Sequence, residues 1–413
     1  MRVLVLDGNE NQAVAAVRSL RRAGHDPAVG AATRWSKAGW SRDCAGTFIY
    51  PDPTGDAEGF VRRVAEEVRT VPGTLVLPMT ERSTLPLSEW RQIIFGAGGR
   101  MVLPPHETLL RAFDKQETSR LAQSLGIAVP RGQLVTTDRE AAEAAANVEY
   151  PVVLKPRSSE EISVAGNPVA TGAPRYAITP AELLDAYTEL RARCGSVLVQ
   201  EYVAGAGAGY FALMRHGEVR GEFAHRRLRD VRPTGSGSAL RVSVVPDPRV
   251  REAGLAILGA LGWHGVAMVE FRLRPDGTPV FLEVNGRFWN SLALAVYAGA
   301  DFPAALAELA EQGDVAPLPP ARVGVRCRWL LGDARHLVGV WRGAPTGYPE
   351  PFPGRLRTLV AVVRPVAGTR HDNFMLRDPL PELADWLHFV GRRVPAALRK
   401  AARRASQLRE ARA

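Results

Sequence analysis

Glu270, Glu283 and Asn285 form the most chemically suggestive set in this sequence. They lie in the stretch Met268-Val269-Glu270-Phe271-Arg272-Leu273-Arg274-Pro275-Asp276-Gly277-Thr278-Pro279-Val280-Phe281-Leu282-Glu283-Val284-Asn285. Asp-Gly flanked by apolar alternation is a strong hairpin signal. A turn centred on Asp276-Gly277 puts Glu270 directly across from Glu283, with Asn285 two residues on and on the same face. Val269, Phe271, Leu273, Val280, Leu282 and Val284 then form an apolar opposite face, which belongs on a core. Two carboxylates paired across a ladder repel each other, and a divalent cation converts that cost into a binding site. Oxygen-only ligands suit magnesium, which is commonly held by one or two carboxylates together with substrate phosphates. A solvated hairpin face, with Arg272 and Arg274 beside it, fits the same pattern.

Lys155 ends the apolar strand 152–155 beside a Ser-, Gly- and Pro-rich loop at 156–175, a placement that suits a phosphate clamp and also an ordinary solvated lysine. Lys115 follows Phe113-Asp114. Gln200-Glu201-Tyr202-Val203 closes another strand just before Gly205, Gly207 and Gly209, with further strand-like sequence after it.

Around these residues, 1–105 reads as alternating strand and helix, the pattern of a parallel sheet covered by helices. Its first turn lacks the glycine fingerprint of a dinucleotide site. Helices are expected over 107–125, 180–193, 249–261 and 291–309. A hairpin is expected over 266–284, and 322–413 reads as a small mixed C-terminal region.

The chain has 413 residues, 46% of them hydrophobic and 23% charged, ordinary proportions for a globular protein of two or three units. No apolar run approaches the length of a membrane span. Three widely spaced cysteines, Cys44, Cys194 and Cys327, read as reduced thiols. The formal net charge is +10, but residues 392–413 hold eight Arg or Lys and one acid, which leaves about +3 for the remainder. The body is not a polycation, so a stable nucleic-acid complex is not expected.

Taken in order, Asp114-Lys115, Tyr150-Pro151-Val152-Val153-Leu154-Lys155-Pro156, Val199-Gln200-Glu201-Tyr202-Val203, Val269-Glu270-Phe271 and Phe281-Leu282-Glu283-Val284-Asn285-Gly286-Arg287-Phe288-Trp289-Asn290-Ser291 resemble the ATP-grasp superfamily. The likeness spans about residues 1–310 and looks closest to carbamoyl-phosphate-synthase-like and carboxylate–amine ligase members. The resemblance implies an α/β fold, α+β in its ATP-binding lobes. An N-terminal pre-ATP-grasp domain would cover 1–105, an ATP-grasp domain with a hinge near 200–204 would cover 106–320, and a small C-terminal region would cover 321–413. It also implies roles. Lys115 and Lys155 would contact ATP phosphates, with Lys155 sharing catalysis with Arg287. Gln200, Glu201, Tyr202 and Val203 would hold the nucleotide at the hinge. Glu270, Glu283 and Asn285 would hold magnesium, two ions by expectation, with manganese as a substitute. Arg287 would steady an acyl phosphate.

Two features depart from the pattern. No acid follows the hinge between Ala204 and Gly209, which leaves Glu201 to meet the ribose. Glu160 and Glu161 are unusual in a phosphate-covering loop. No nucleophile elbow or zinc-protease motif is present.

The implied activity is Mg-ATP-dependent activation of a carboxylate for attack by an amine, in the making of a small metabolite or cell-surface component. The alternative is a catalytically silent ATP-binding regulatory module. Around the Gly235-Ser236-Gly237-Ser238 loop, His225, Arg226, Arg227 and Arg241 are candidate contacts to an anionic substrate. Trp289 and Ser291 are candidates to line the acceptor pocket. A homodimer and a cytoplasmic location fit this reading. The basic tail, with an apolar stripe of Leu398, Ala401, Ala402, Ala405 and Leu408, suggests weak contact with an anionic inner membrane surface.

Overall fold

The computed structural model describes residues 1–156 and 174–391, together with the backbone of the short antiparallel strands Glu160–Ile162 and Pro168–Ala170. The side chains of Glu160 and Glu161, and the tail helix expected beyond residue 395, lie outside the described residues.

The N-terminal unit is a parallel sheet in the order Gly46–Ile49, Asp26–Ala31, Arg2–Val5, Leu75–Leu77. Helix Asn11–Arg22 follows the first strand, and its apolar residues are fully buried. Val14 and Val17 of this helix share one core with Phe288, Trp289 and Leu292, so the N-terminal unit packs directly onto the segment that follows the acidic hairpin.

Strands Gly132–Val135, Val197–Glu201, Val152–Pro156 and Arg175–Ala177 form a small antiparallel sheet. Helices Asp138–Asn147 and Pro180–Arg191 cover it, and it has its own core around Leu154, Leu183 and Val199. The largest sheet has seven strands. From edge to edge they are Pro279–Asn285, Gly265–Leu273, Ala206–Arg215, Glu218–Arg229, Leu240–Val244, Arg326–Arg328 and Arg370–His371. The last two come from the region expected as a small C-terminal unit, which is therefore built onto the central sheet. Val269, Phe271, Phe281 and Val284 pack on the apolar side with Tyr210, Ile257 and Trp263.

The helix expected over 107–125 is two helices, His106–Phe113 and Lys115–Ser124. Asp114 sits between them, and its carboxylate accepts hydrogen bonds from the backbone N–H groups of Gln116 and Glu117 at 2.8 and 3.2 Å. An N-cap satisfies donors that a continuous helix would direct at carbonyls, so it starts a new helix. The stretch 291–309 likewise divides into Leu292–Ala298 and Phe302–Gln312, with Gly299 in the left-handed region at φ 102°.

A polar seam joins residues 1–105 to the end of the described chain. Arg18, 5% exposed, donates to the Asp378 carboxylate at 2.8 Å and to the carbonyls of Asp372, Asn373 and Asp378 at 2.7–3.0 Å. Lys37 pairs with Asp385 at 3.0 Å, and Trp329 Nε1 donates to the same carboxylate at 2.7 Å.

Candidate active site

Glu270 and Glu283 are cross-strand partners, and Asn285 pairs with Met268. The route to this register differs from the expected two-residue turn. Arg274 N donates to Thr278 O at 3.0 Å, and Gly277 N donates to Arg274 O at 2.8 Å with Gly277 at φ 79°. The loop is therefore Pro275-Asp276-Gly277, three residues, ending in the left-handed position that favours glycine. Farther along, Phe271 pairs with Phe281 while Glu270 pairs with Glu283, so Leu282 is an extra, bulged residue. The longer turn and the bulge cancel. Leu282, expected on the core face, is half-buried and lines the cleft instead, while Phe281 takes the core position.

The hairpin forms one wall of a cleft of about 440 Å³ between the small sheet and the central sheet. Lys155 faces it from strand Val152–Pro156, and Lys115 from the first residue of its helix. Gln200, Glu201, Tyr202 and Val203 line the end where the two sheets meet, with Tyr176 beside them. Arg287 closes the hairpin side, donating to Asn285 Oδ1 at 2.8 Å and to Phe288 O at 3.0 Å. His225, Trp289, Asn290 and Ser291 line the remaining wall. All the hinge, lysine, hairpin and Arg287 positions picked from the sequence thus face one space.

Charge is concentrated here. The nearest cation to Glu283 is Lys115, with Nζ 3.6 Å from Oε2. Burial pushes the Glu283 carboxyl up, but Lys115, Lys155 and Arg287, with the Asn285 amide, outweigh it and hold the group below the usual carboxylate range. Lys155 is shifted down, by burial first, with Lys115 adding to the effect and Glu283 opposing it. Among the described residues the Lys155 side chain has no hydrogen bond or ion pair, its backbone being paired with Leu198. Glu270 pairs with Arg227, which sits two residues from His225 on the same strand face. Of the basic run at 225–227, Arg227 thus shares the cleft with His225, as strand alternation requires.

Two expected substrate contacts are not in the cleft. Arg226 points the other way and is exposed, because side chains alternate along strand Glu218–Arg229. Arg241 is fully buried and pairs with Asp372, which lies 131 residues farther along the chain. Glu201 faces the cleft, but its carboxylate is engaged by Arg131 and Arg274, each at 2.8 Å. That makes it a poor candidate for the ribose. His225 is held neutral: burial, then Arg227 and Arg241, lower its pKa well below the usual value. Its Nε2 is 2.8 Å from Ser291 Oγ, and its ring stacks on Phe211 at 4.9 Å. Trp289 packs on Phe211 at 4.6 Å, and Asn290 accepts from Asn11 of the N-terminal unit at 3.0 Å.

The donor set fits a hard divalent cation. Glu270, Glu283 and Asn285 offer two carboxylates and an amide oxygen, with no sulfur or imidazole among them. Among the described residues no cluster of three or more His, Cys, Asp or Glu side chains is placed to hold a metal unaided. Such an ion would need further oxygens from its ligand.

No family model matches the chain. By sequence it is 28% identical over 198 residues to the N-terminal section of the carbamoyl phosphate synthase large chain of Methanopyrus kandleri, covering 46% of this chain and 34% of that one. It is 25% identical over 252 residues to the carbamoyl phosphate synthase large chain of Thermotoga maritima, covering 57% and 22%. The chain thus spans about a third or less of the length of these curated relatives. Among solved structures, the biotin carboxylase–β-γ-ATP complex of Campylobacter jejuni superposes with a TM-score of 0.61 at 15% identity, over 79% of this chain and 74% of that one. An L-amino acid ligase from Bacillus licheniformis gives 0.58 at 15%, over 75% and 74%. An ADP complex of N5-carboxyaminoimidazole ribonucleotide synthetase gives 0.58 at 13%, over 78% of each chain. The chain has the ATP-grasp fold.

Proposed function

We propose that this protein is an ATP-dependent ligase that activates a carboxylate as an acyl phosphate for attack by an amine. The observation that carries this reading is the convergence of Glu270, Glu283, Asn285, Lys115, Lys155 and Arg287 on one cleft closed by the hinge Gln200–Val203. The names of the relatives support it: a carbamoyl phosphate synthase, an amino acid ligase, and structures solved with ATP- or ADP-type ligands.

Backbone groups of Glu201 and Val203 would meet the adenine edge. Lys115 and Lys155 would hold the phosphates, and Lys155, unpaired among the described residues, is free to do so. Glu270, Glu283 and Asn285 would hold magnesium, two ions at full occupancy and manganese as a substitute. Bound Mg-ATP supplies the phosphoryl group and neutralises its charge. Arg227 then has to give up Glu270 and turn toward the ligand. Arg287, which now donates to the Asn285 oxygen that the cation would take, would turn to neutralise the acyl phosphate and the oxyanion formed when the amine attacks. Trp289, Ser291, Asn290 and neutral His225 would shape the acceptor side. A small-molecule acid and amine fit a cleft of about 440 Å³.

The test is a panel of acid–amine pairs assayed for ADP and phosphate release with Mg-ATP. We expect release that requires both an acid and an amine. Tight ATP binding without release for any pair would favour the silent regulatory module instead.

A further inference from the structure

The last described helix is built the wrong way round for a globular surface. Residues 380–391 are helical, and Leu380, Leu383, Leu387 and Val390 recur at spacings of 3, 4 and 3, which places them on one face. That face points outward, each residue being 48–54% exposed. The inward face carries carboxylates. Asp385 is bound by Lys37, Trp329 and Asn373, and Glu382 accepts from Trp386 Nε1 at 2.8 Å. Both acids are buried. Turning the helix to hide its leucines would strip Lys37 and Trp329 of their partner, so the anchor fixes the apolar stripe outward.

The charge around this stripe is one-sided. Every acid between residues 351 and 391, namely Asp372, Asp378, Glu382 and Asp385, is buried. Every arginine in that stretch, Arg355, Arg357, Arg364, Arg370 and Arg377, is exposed. Helix Arg355–Val363 repeats the pattern, with only Thr358 buried and Leu356, Val360 and Val363 exposed. The sequence then continues into 392–413, which adds eight cationic residues against one acid. An apolar stripe on a segment whose exposed charges are arginines, Arg377 also pairing with Asp43 at 3.8 Å, is complementary to a surface that is apolar beneath and anionic above. A second copy of this chain would bring the same cations against each other. Among the described residues no single helix is long and apolar enough to cross a membrane.

We propose that the folded C-terminal segment docks on an anionic lipid surface, with Leu380, Leu383, Leu387 and Val390 entering the headgroup boundary and the exposed arginines of the segment meeting lipid phosphates. The inference is independent of the ligase reading. It assigns the contact to the folded body, with the tail as an electrostatic supplement.

The experiment is co-sedimentation of the full chain with vesicles of phosphatidylcholine containing phosphatidylglycerol, and with phosphatidylcholine alone, at low and high salt. We expect binding to the anionic vesicles only. Leu383→Glu/Leu387→Glu should cut partitioning by about tenfold or more with the thermal midpoint unchanged, since both side chains are already half in water. Leu383→Ser/Leu387→Ser is the backup should the glutamates disturb folding. Removing 392–413 should weaken binding and leave a remainder that persists at high salt. No binding to anionic vesicles would overturn the proposal. So would double variants that bind like the parent chain while the truncation abolishes binding, which would make the tail the sole anchor. A stripe-dependent dimer in light scattering, without vesicle binding, would overturn it in favour of a second copy.

Discussion

At the seam between the N-terminal unit and the end of the described chain, Arg18 is 5% exposed and makes four hydrogen bonds at 2.7–3.0 Å to Asp372, Asn373 and Asp378. In the cleft, the Lys155 side chain makes none among the described residues, and Glu283 keeps a 30% exposed side chain with its nearest cation 3.6 Å away. Both regions combine cations with carboxylates. The seam engages all three nitrogens of its arginine through four of its five N–H groups, which is how a buried charge becomes tolerable. The cleft gathers like charges, Lys115 beside Lys155 and Glu270 across from Glu283, at positions where they repel unless something of mixed charge comes between them. Saturated charge marks a joint, and unsaturated charge marks a place prepared for a ligand.

That contrast can be broken by substitution. The largest effect on stability should come from the seam. Arg18→Ala removes the cation that pairs with the buried Asp378 carboxylate and leaves it only the hydrogen bonds from Ser41 Oγ and Arg42 N–H, and we expect a loss of about 3–5 kcal/mol in chemical denaturation, with turnover per folded molecule retained. A marginal loss would mean that the charge pair contributes little to holding the seam. In the cleft, Arg287→Ala should lower turnover by about 10²–10³-fold while affinity for a nonhydrolysable ATP analogue, read by calorimetry, stays nearly unchanged. Lys155→Ala should do the reverse, weakening analogue binding by about tenfold, the loss of one charge-assisted contact. Equal loss of affinity in both variants would contradict the division of roles.

A smaller effect concerns pH. Burial, with Asp385 and Asp372 close by, pushes Glu382 up to about 7. The folded state therefore holds a proton that the unfolded chain releases near the ordinary glutamate value of about 4.3. The contribution of this group to stability is full below that value and is lost as pH rises through about 7. Glu382→Gln should flatten the decline in thermal midpoint between pH 5 and pH 8. An unchanged decline would assign it to other groups.

The same contrast explains what could be read from the sequence. The elements of the cleft come from local signals: an Asp-Gly turn, alternating strands, and a lysine at a strand end. Those signals singled out Lys155, Glu270, Glu283 and Asn285, the ATP-grasp resemblance implied Lys115, the hinge and Arg287, and the structure brings all of them around one space. The hairpin register came out right although its turn is one residue longer than expected, because the Leu282 bulge removes the difference. The seam was invisible. Arg241 reads as a substrate contact until Asp372, 131 residues away, is seen to neutralise it. Arg226 fails for a simpler reason, since alternation along its strand turns it away from the face that His225 and Arg227 share. The two strands that 322–391 adds to the central sheet have three and two residues, too short for any periodicity to show.

The central claim is that Glu270 and Glu283 face each other to bind magnesium with ATP. The most direct measurement is calorimetric titration of a nonhydrolysable ATP analogue into the parent chain and Glu283→Gln, with and without magnesium, alongside phosphate release by both. We expect magnesium to strengthen binding to the parent chain and to do little for the variant. We also expect the variant to lose at least about a hundredfold in turnover at an unchanged thermal midpoint. A variant that keeps parental turnover and the full magnesium response would show that the paired carboxylates hold no metal.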